Sequence, residues 1–228
     1  WRKIVSKQAW IIFAAICVAV LGGLILLSRG NQIDVSKVDE TKIIAASTQN
    51  GNIGDHVLST TTGKAILIEY GDFQCPACGS AYPNVKELTE KYKDQLIFVF
   101  RNLPLTSLHP NARAAAAAAE AAGLQGTYWK MHDTLYENQN NWENATTENR
   151  LSYFENYAKQ AGVKDIAKFK TDVESQAVSD KINFDLALTR KIGATATPTM
   201  LLNGKKIESD IWSDKAKFES EIKSALGL

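Results

Sequence analysis

Apolar residues come in blocks along this chain, and the spacing inside each block predicts its element. Residues 65–70 (AILIEY) are a short apolar run bounded by Gly63 and Gly71, which predicts a buried central strand. Beyond it, Ala81, Val85, Leu88 and Tyr92 recur at helical spacing, and Pro76 suits the first turn of that helix. Residues 96–100 (LIFVF) predict a second buried strand. Strand, helix and strand in this order form a βαβ unit with a parallel pair.

Residues 109–192 then read as helices only. The stretch HPNARAAAAAAEAAG is alanine-rich and ends at Gly123, and its small side chains suit close helix–helix approach. Further stripes follow at Tyr128, Met131 and Leu135, at Leu151, Phe154, Tyr157 and Ala161, and at Ile166, Phe169 and Val173. The last, Val178, Ile182, Leu186 and Thr189, closes at Gly193. After Pro198 the sheet resumes with TMLL, an Asn203-Gly204 hairpin signal and a return over 205–208. Phe218, Ile222 and Leu226 place a helix at the end. The predicted class is α/β: β-α-β, a helical block at about 107–192, then β-β-α.

Upstream, residues 9–27 form 19 uncharged, almost wholly apolar positions, which span roughly 28 Å as a helix. Arg2, Lys3 and Lys7 precede them, so a signal anchor is expected, with the short N-terminus cytoplasmic and the rest extracytoplasmic. A cleaved signal peptide is the rival, but LLSRGNQ offers no A-x-A-like site. Cys17, in mid-span, reads as a lipid-facing apolar residue. The expected organisation is a cytoplasmic stub and anchor over 1–28, a polar tether over 29–64 and a domain over 65–228. An edge strand is possible in the tether at residues 43–46 (IIAA).

Composition adds limits. In 228 residues, 45% are hydrophobic and 22% charged, ordinary for a globular protein. A net charge of +1 lacks the basic surplus of a nucleic-acid binder, and nothing repeats at a solenoid period.

The candidate chemistry lies in GDFQCPACGS. Outside the cytoplasm disulfides form and persist, and with Cys17 in the membrane Cys75 and Cys78 have only each other. A structural zinc site needs four ligands, and His56, His109 and His132 lack the paired spacing to complete one, so no metal is expected. A purely structural disulfide closing so small a ring would constrain the unfolded chain little. A redox pair uses the neighbours better. Cys75 stands before a helix, where free N–H groups and the positive dipole end favour a thiolate. Cys78, one turn on, can resolve a mixed disulfide, and Pro76 loses no hydrogen bond there. A C-x-x-C beside a βαβ pattern is itself a thioredoxin-like signal.

Three runs, ILIEYGDFQCPAC, FRNLPLTSLHPNARAAAAAAEAAGLQGTYWKMHD and GATATPTMLLNGK, resemble the DsbA-like thiol:disulfide oxidoreductases, most closely their membrane-anchored bacterial members. The resemblance covers roughly residues 40–228. It implies a thioredoxin-like fold with a helical insertion, with no cofactor beyond the redox-active disulfide Cys75–Cys78. It implies a cis Thr197–Pro198 bond facing the cysteines, with the Thr197 backbone pairing with substrate. Pro76 and Ala77, between the cysteines, would tune the potential and meet substrate. Glu69 matches a buried acid that exchanges a proton with Cys78; Asp72 ranks second for that role, and a partly exposed strand-end carboxylate is the plainer alternative. His109 is expected to help start a helix, and Trp129 and Met131 to lie in the core. Implied partners are exported cysteine-containing polypeptides and a membrane quinone-linked oxidant of the DsbB or vitamin K epoxide reductase type. A monomeric oxidase is expected, with a reductase, an isomerase or an anchored chaperone as alternatives.

Overall fold

The structure, a computed structural model, describes residues 7–29 and 33–228, with the side chains of Ala9 and of residues 24–29 outside the description. The chain divides into two compact units, residues 1–34 and 35–228. In the first, helix α1 spans Lys7–Arg29. The basic flank at Arg2 and Lys3 and the distal side chains of the expected anchor thus lie outside the described residues. Among the described residues no helix is long and apolar enough to cross a membrane.

The second unit is built on a sheet. Its strands are β1 (His56–Leu58), β2 (Ala65–Gly71), β3 (Leu96–Asn102), β4 (Thr199–Leu202) and β5 (Lys205–Ile207). The described strands form one five-stranded sheet in the order β1-β3-β2-β4-β5. β2 and β3 are parallel, in register from Ala65 opposite Leu96 to Gly71 opposite Asn102, and α2 (Pro76–Lys91) crosses between them. The other pairings are antiparallel. Asn203 and Gly204, with φ of 49° and 78°, make the tight β4–β5 turn that their sequence announces.

Between β3 and β4 the chain is helical: α3 (Ala112–Gly123), α4 (Tyr128–Glu137), α5 (Gln139–Trp142), α6 (Arg150–Ala161), α7 (Ile166–Val173) and α8 (Gln176–Ile192). The alanine-rich α3 packs against α4, α6, α7 and α8, an approach that larger side chains on its buried faces would prevent. After the hairpin come α9 (Ser209–Trp212) and α10 (Lys215–Leu226). Leu67, Phe98 and Phe100 of the sheet share one core with Val85 and Leu88 of α2 and with Phe218, Ile222 and Leu226 of α10.

The expected tether is corrected. The compact unit begins at Val35, and Val35, Asn50 and Ile53 are buried within it. Residues 43–46 form no strand. Ile44 instead exchanges bonds with Asp55, its N–H donating to the carboxylate (2.9 Å) and its carbonyl accepting the Asp55 N–H (2.8 Å). The edge strand lies further on, at His56–Leu58. The backbone here closes around a buried ion pair, Asp55–Arg101, whose guanidinium also donates to the carbonyls of Glu40 and Lys42. Those bonds leave the 43–46 run off the sheet ladder.

Candidate active site

β2 ends at Gly71 and a short loop delivers Cys75 to the start of α2. Cys75 has the extended backbone of an N-cap (φ −69°, ψ 124°), and Pro76 takes the first helical position, where its missing N–H costs nothing. Cys75 and Cys78 are free thiols, both buried, Cys78 completely. Pro76 and Ala77 between them are exposed. A bond from the Cys78 thiol pulls the Cys75 pKa down to about 5 against the opposing effect of burial, and the backbone N–H groups of Cys78 and Ala77 add to it. Burial first, then the bond to Cys75 and the charge of Glu69, push Cys78 well above the ordinary thiol range. One sulfur is thus poised as a thiolate and the other as a thiol.

The turn before β4 faces this pair. The Thr197–Pro198 bond is cis, and the Thr197 carbonyl lies 3.5 Å from Cys75 Sγ, accepting from the thiol. The carbonyl, not the hydroxyl, makes this contact: Thr197 Oγ1 is buried without a partner. Glu69 comes from β2, opposite Phe100 on one side and Met200 on the other. It is 4% exposed, and burial, followed by the charge of Cys75, raises its pKa to about 8. Asp72 is fully engaged elsewhere. Its carboxylate accepts from the Gln74 and Leu105 N–H groups (2.8 and 2.9 Å) and pairs with His109 Nδ1 (2.8 Å), which fastens the loop before Cys75. His109 is therefore a loop clamp, and its carbonyl also accepts the N–H of Ala112 (3.1 Å), the first residue of α3. Met131 is in the core, and Trp129 packs at its edge. Among the described residues no group of three or more His, Cys, Asp or Glu side chains is placed to hold a metal ion.

The sequence profile of the thioredoxin family matches residues 52–223. The chain belongs to the thioredoxin family. Within it the fold is DsbA-like. BdbD from Bacillus subtilis superposes with a TM-score of 0.66 at 21% identity, over 83% of this chain and all of that one. MdbA from Corynebacterium diphtheriae, a thiol-disulfide oxidoreductase, gives 0.61 at 22% identity over 84% and 98%. A thioredoxin-like oxidoreductase from Silicibacter pomeroyi gives 0.62 at 23% over 76% and 93%. Likeness at such identities shows a shared fold. Among curated proteins, the sodium/proton antiporter NhaA 1 of Salinispora arenicola is 36% identical over 152 residues, 67% of this chain but 22% of the antiporter. The NhaA 1 of Mycolicibacterium vanbaalenii is 37% identical over 152 residues, 23% of its length. The chain thus spans under a quarter of the length of these relatives.

On this thioredoxin frame two sets of polar residues escape the sequence reading. One is the pair of amides Gln74 and Gln139 beside the cysteines. The other is a buried ionic network joining Asp55, Arg101, Lys181, Asp185, Asn102, Glu120 and His56. The available signal was charge in apolar company: Arg101 after LIFVF, Glu120 within the alanine run, and Lys181 and Asp185 at i, i+4 on the buried face of α8.

The site has a pH signature. Glu69 keeps its proton in the fold to about 8 against an ordinary 4.5, so its contribution to stability is full below about 4.5 and is lost as pH rises through about 8. Cys75 runs the other way: its pKa falls from 9.0 to about 5, so its contribution is full above about 9 and is lost as pH falls through about 5. In the reduced protein the two slopes oppose each other over about pH 5 to 8. Glu69→Gln is expected to remove the falling slope, so that urea stability of the reduced variant climbs across that range while wild type stays near level. Superimposable profiles for the two proteins would refute a Glu69 protonated by burial.

Proposed function

We propose that the chain is an extracytoplasmic thiol:disulfide oxidoreductase that forms disulfides in exported polypeptides. The observation that carries this reading is the asymmetry of the pair, with Cys75 stabilised as a thiolate near pKa 5 beside a Cys78 held protonated. A stabilised thiolate leaves readily and makes the reduced enzyme the favoured form, which is the property of a disulfide donor. A substrate thiolate attacks Cys75 in the Cys75–Cys78 disulfide, forming a mixed disulfide and expelling Cys78. A second substrate thiolate attacks the substrate sulfur of that bond and expels Cys75, so two electrons pass from substrate to enzyme. Cys78 takes up a proton when it leaves, and Glu69, which burial keeps protonated to about 8 and whose charge bears on Cys78, is the donor in this reading. The Thr197 backbone, beside Cys75, is the seat for an extended substrate segment. Pro76 and Ala77 form the exposed rim that substrate meets.

The apolar run of the sequence at residues 9–27, with Arg2, Lys3 and Lys7 before it, supports anchorage by a single membrane span, with the thioredoxin unit outside the cytoplasm. An anchored monomer of this kind would be reoxidised by a quinone-linked membrane protein of the DsbB or vitamin K epoxide reductase type. Equilibration of the full chain with glutathione tests the direction. A potential near about −120 mV is expected for a disulfide donor. A value near about −270 mV would mark a reductant and overturn the proposal.

A further inference from the structure

Two glutamine side chains cross between the cysteine loop and the helical insertion in opposite directions. Gln74, next to Cys75, reaches outward: its Oε1 accepts the Asn111 N–H and its Nε2 donates to the Glu143 carbonyl, both at 2.6 Å. Gln139, the first residue of α5, reaches inward: its Nε2 donates to the carbonyls of Phe73 (2.8 Å) and Cys75 (3.0 Å). Both side chains belong to buried residues. The Cys75 carbonyl also accepts the Gly79 N–H (3.0 Å), the bond that opens α2. One amide thus holds the loop two residues before the first cysteine and the peptide that starts the helix.

Gly79 makes room for it. A Cβ on this residue would stand 2.3 Å from Gln139 Oε1 and 3.0 Å from Cδ. The amide therefore lies directly against the first turn of α2, the turn whose Ala77 and Cys78 N–H groups help to favour the Cys75 thiolate.

We propose that Gln139 is a positioning residue for the chemistry of Cys75: by holding the Phe73 and Cys75 carbonyls it fixes the first turn of α2 and ties the redox poise of the pair to the helical insertion. The proposal rests on the thiol–disulfide reading above. Gln139 is neutral and bonds to backbone, so it acts through geometry rather than by moving a proton. Without it, the first-turn N–H groups lose their aim at the sulfur. The thiolate is then less favoured, the reduced state loses its advantage, and the potential falls.

Three full-length variants test this: Gln139→Leu, which removes both bonds at similar volume, Gly79→Ala, which displaces the amide without altering it, and the double variant. Gln139→Leu is expected to weaken the oxidising equilibrium against glutathione about 10-fold, about 30 mV for a two-electron couple, and to raise the pH midpoint of thiolate absorbance. Gly79→Ala should move both readouts in the same direction, although alanine is the better helix former. The double variant should shift no further than the larger single change, because both act through one contact.

Potentials within two-fold of wild type in the exchange constant, alongside a lowered thermal midpoint, would make the amide merely structural and overturn the inference. A Gly79→Ala variant with the wild-type potential overturns it as well, and this test survives if Gln139→Leu does not fold. A wild-type chain that never equilibrates with glutathione would remove the thiol–disulfide reading itself and the inference with it.

Discussion

Cys75→Ser is expected to abolish disulfide transfer, a loss on the order of 10³-fold or more, whereas Cys78→Ser traps a mixed disulfide between Cys75 and substrate. The asymmetry follows from the site. Only Cys75 combines a lowered pKa with a position between the exposed Pro76–Ala77 rim and the Thr197 carbonyl. A serine hydroxyl there neither ionises near neutral pH nor forms the disulfide. Cys78 is wholly buried with a raised pKa, so it is unsuited to attack by a bulky polypeptide but placed to resolve a bond at Cys75. Cys17 should be replaced in both variants so that no other thiol contributes. Non-reducing electrophoresis reads the outcome, with a reduced cysteine-containing polypeptide for transfer and a disulfide-bonded one for trapping, because a lone thiolate forms the adduct only by breaking an S–S bond and expelling a substrate thiolate. Adducts that form through position 78 in Cys75→Ser would reverse the assigned roles. Full disulfide transfer by Cys75→Ser would leave a chaperone-like binding role as the better account.

Lys181→Met carries the largest expected cost in stability, about 3–5 kcal/mol. Lys181 is 1% exposed, and its ammonium bonds Asp185 (2.8 Å) and Asp55 (3.3 Å). Asp55 is shared with Arg101 at 2.7 Å, and Asp185 accepts from the backbone and side-chain amides of Asn102 (3.0 and 2.9 Å). Asn102 also donates to Glu120, which pairs with His56 (both 2.7 Å). Three buried carboxylates therefore face two buried cations and one histidine. Methionine fills the volume but leaves Asp55 and Asp185 repelling each other away from water. Urea unfolding should show a lowered midpoint with an unchanged slope. Lys181→Met combined with Asp185→Asn should recover part of the loss, because the surplus charge goes while an acceptor for Asn102 remains. A single-variant cost below about 1 kcal/mol would mean that water reaches the network.

This network and the cysteine site share one history of legibility. The features legible from the residues were local and periodic. The apolar runs of β2 and β3, the Pro76 start of α2, the stripes of the helical insertion and the Asn203-Gly204 turn depend on neighbours within a few positions, so spacing alone revealed them. The C-x-x-C motif is local too, because the helix start that favours a thiolate is written in the same four residues.

The long-range polar partners came from packing. The chain separates Gln139 from Phe73 by 66 residues and Lys181 from Asp55 by 126, and no periodicity encodes which amide or carboxylate meets which. The same cause moved the edge strand. The run at 43–46 has the apolar character of a strand, while the segment at His56–Leu58 is short and only half-buried. The ion pair of Asp55 with Arg101 claimed the backbone of the first and left the second to extend the sheet. The acidity of Cys75 divides in the same way. Its place at a helix N-terminus was in the sequence, whereas the approach of the buried Cys78 thiol and of the Thr197 turn exists only once the sheet has packed.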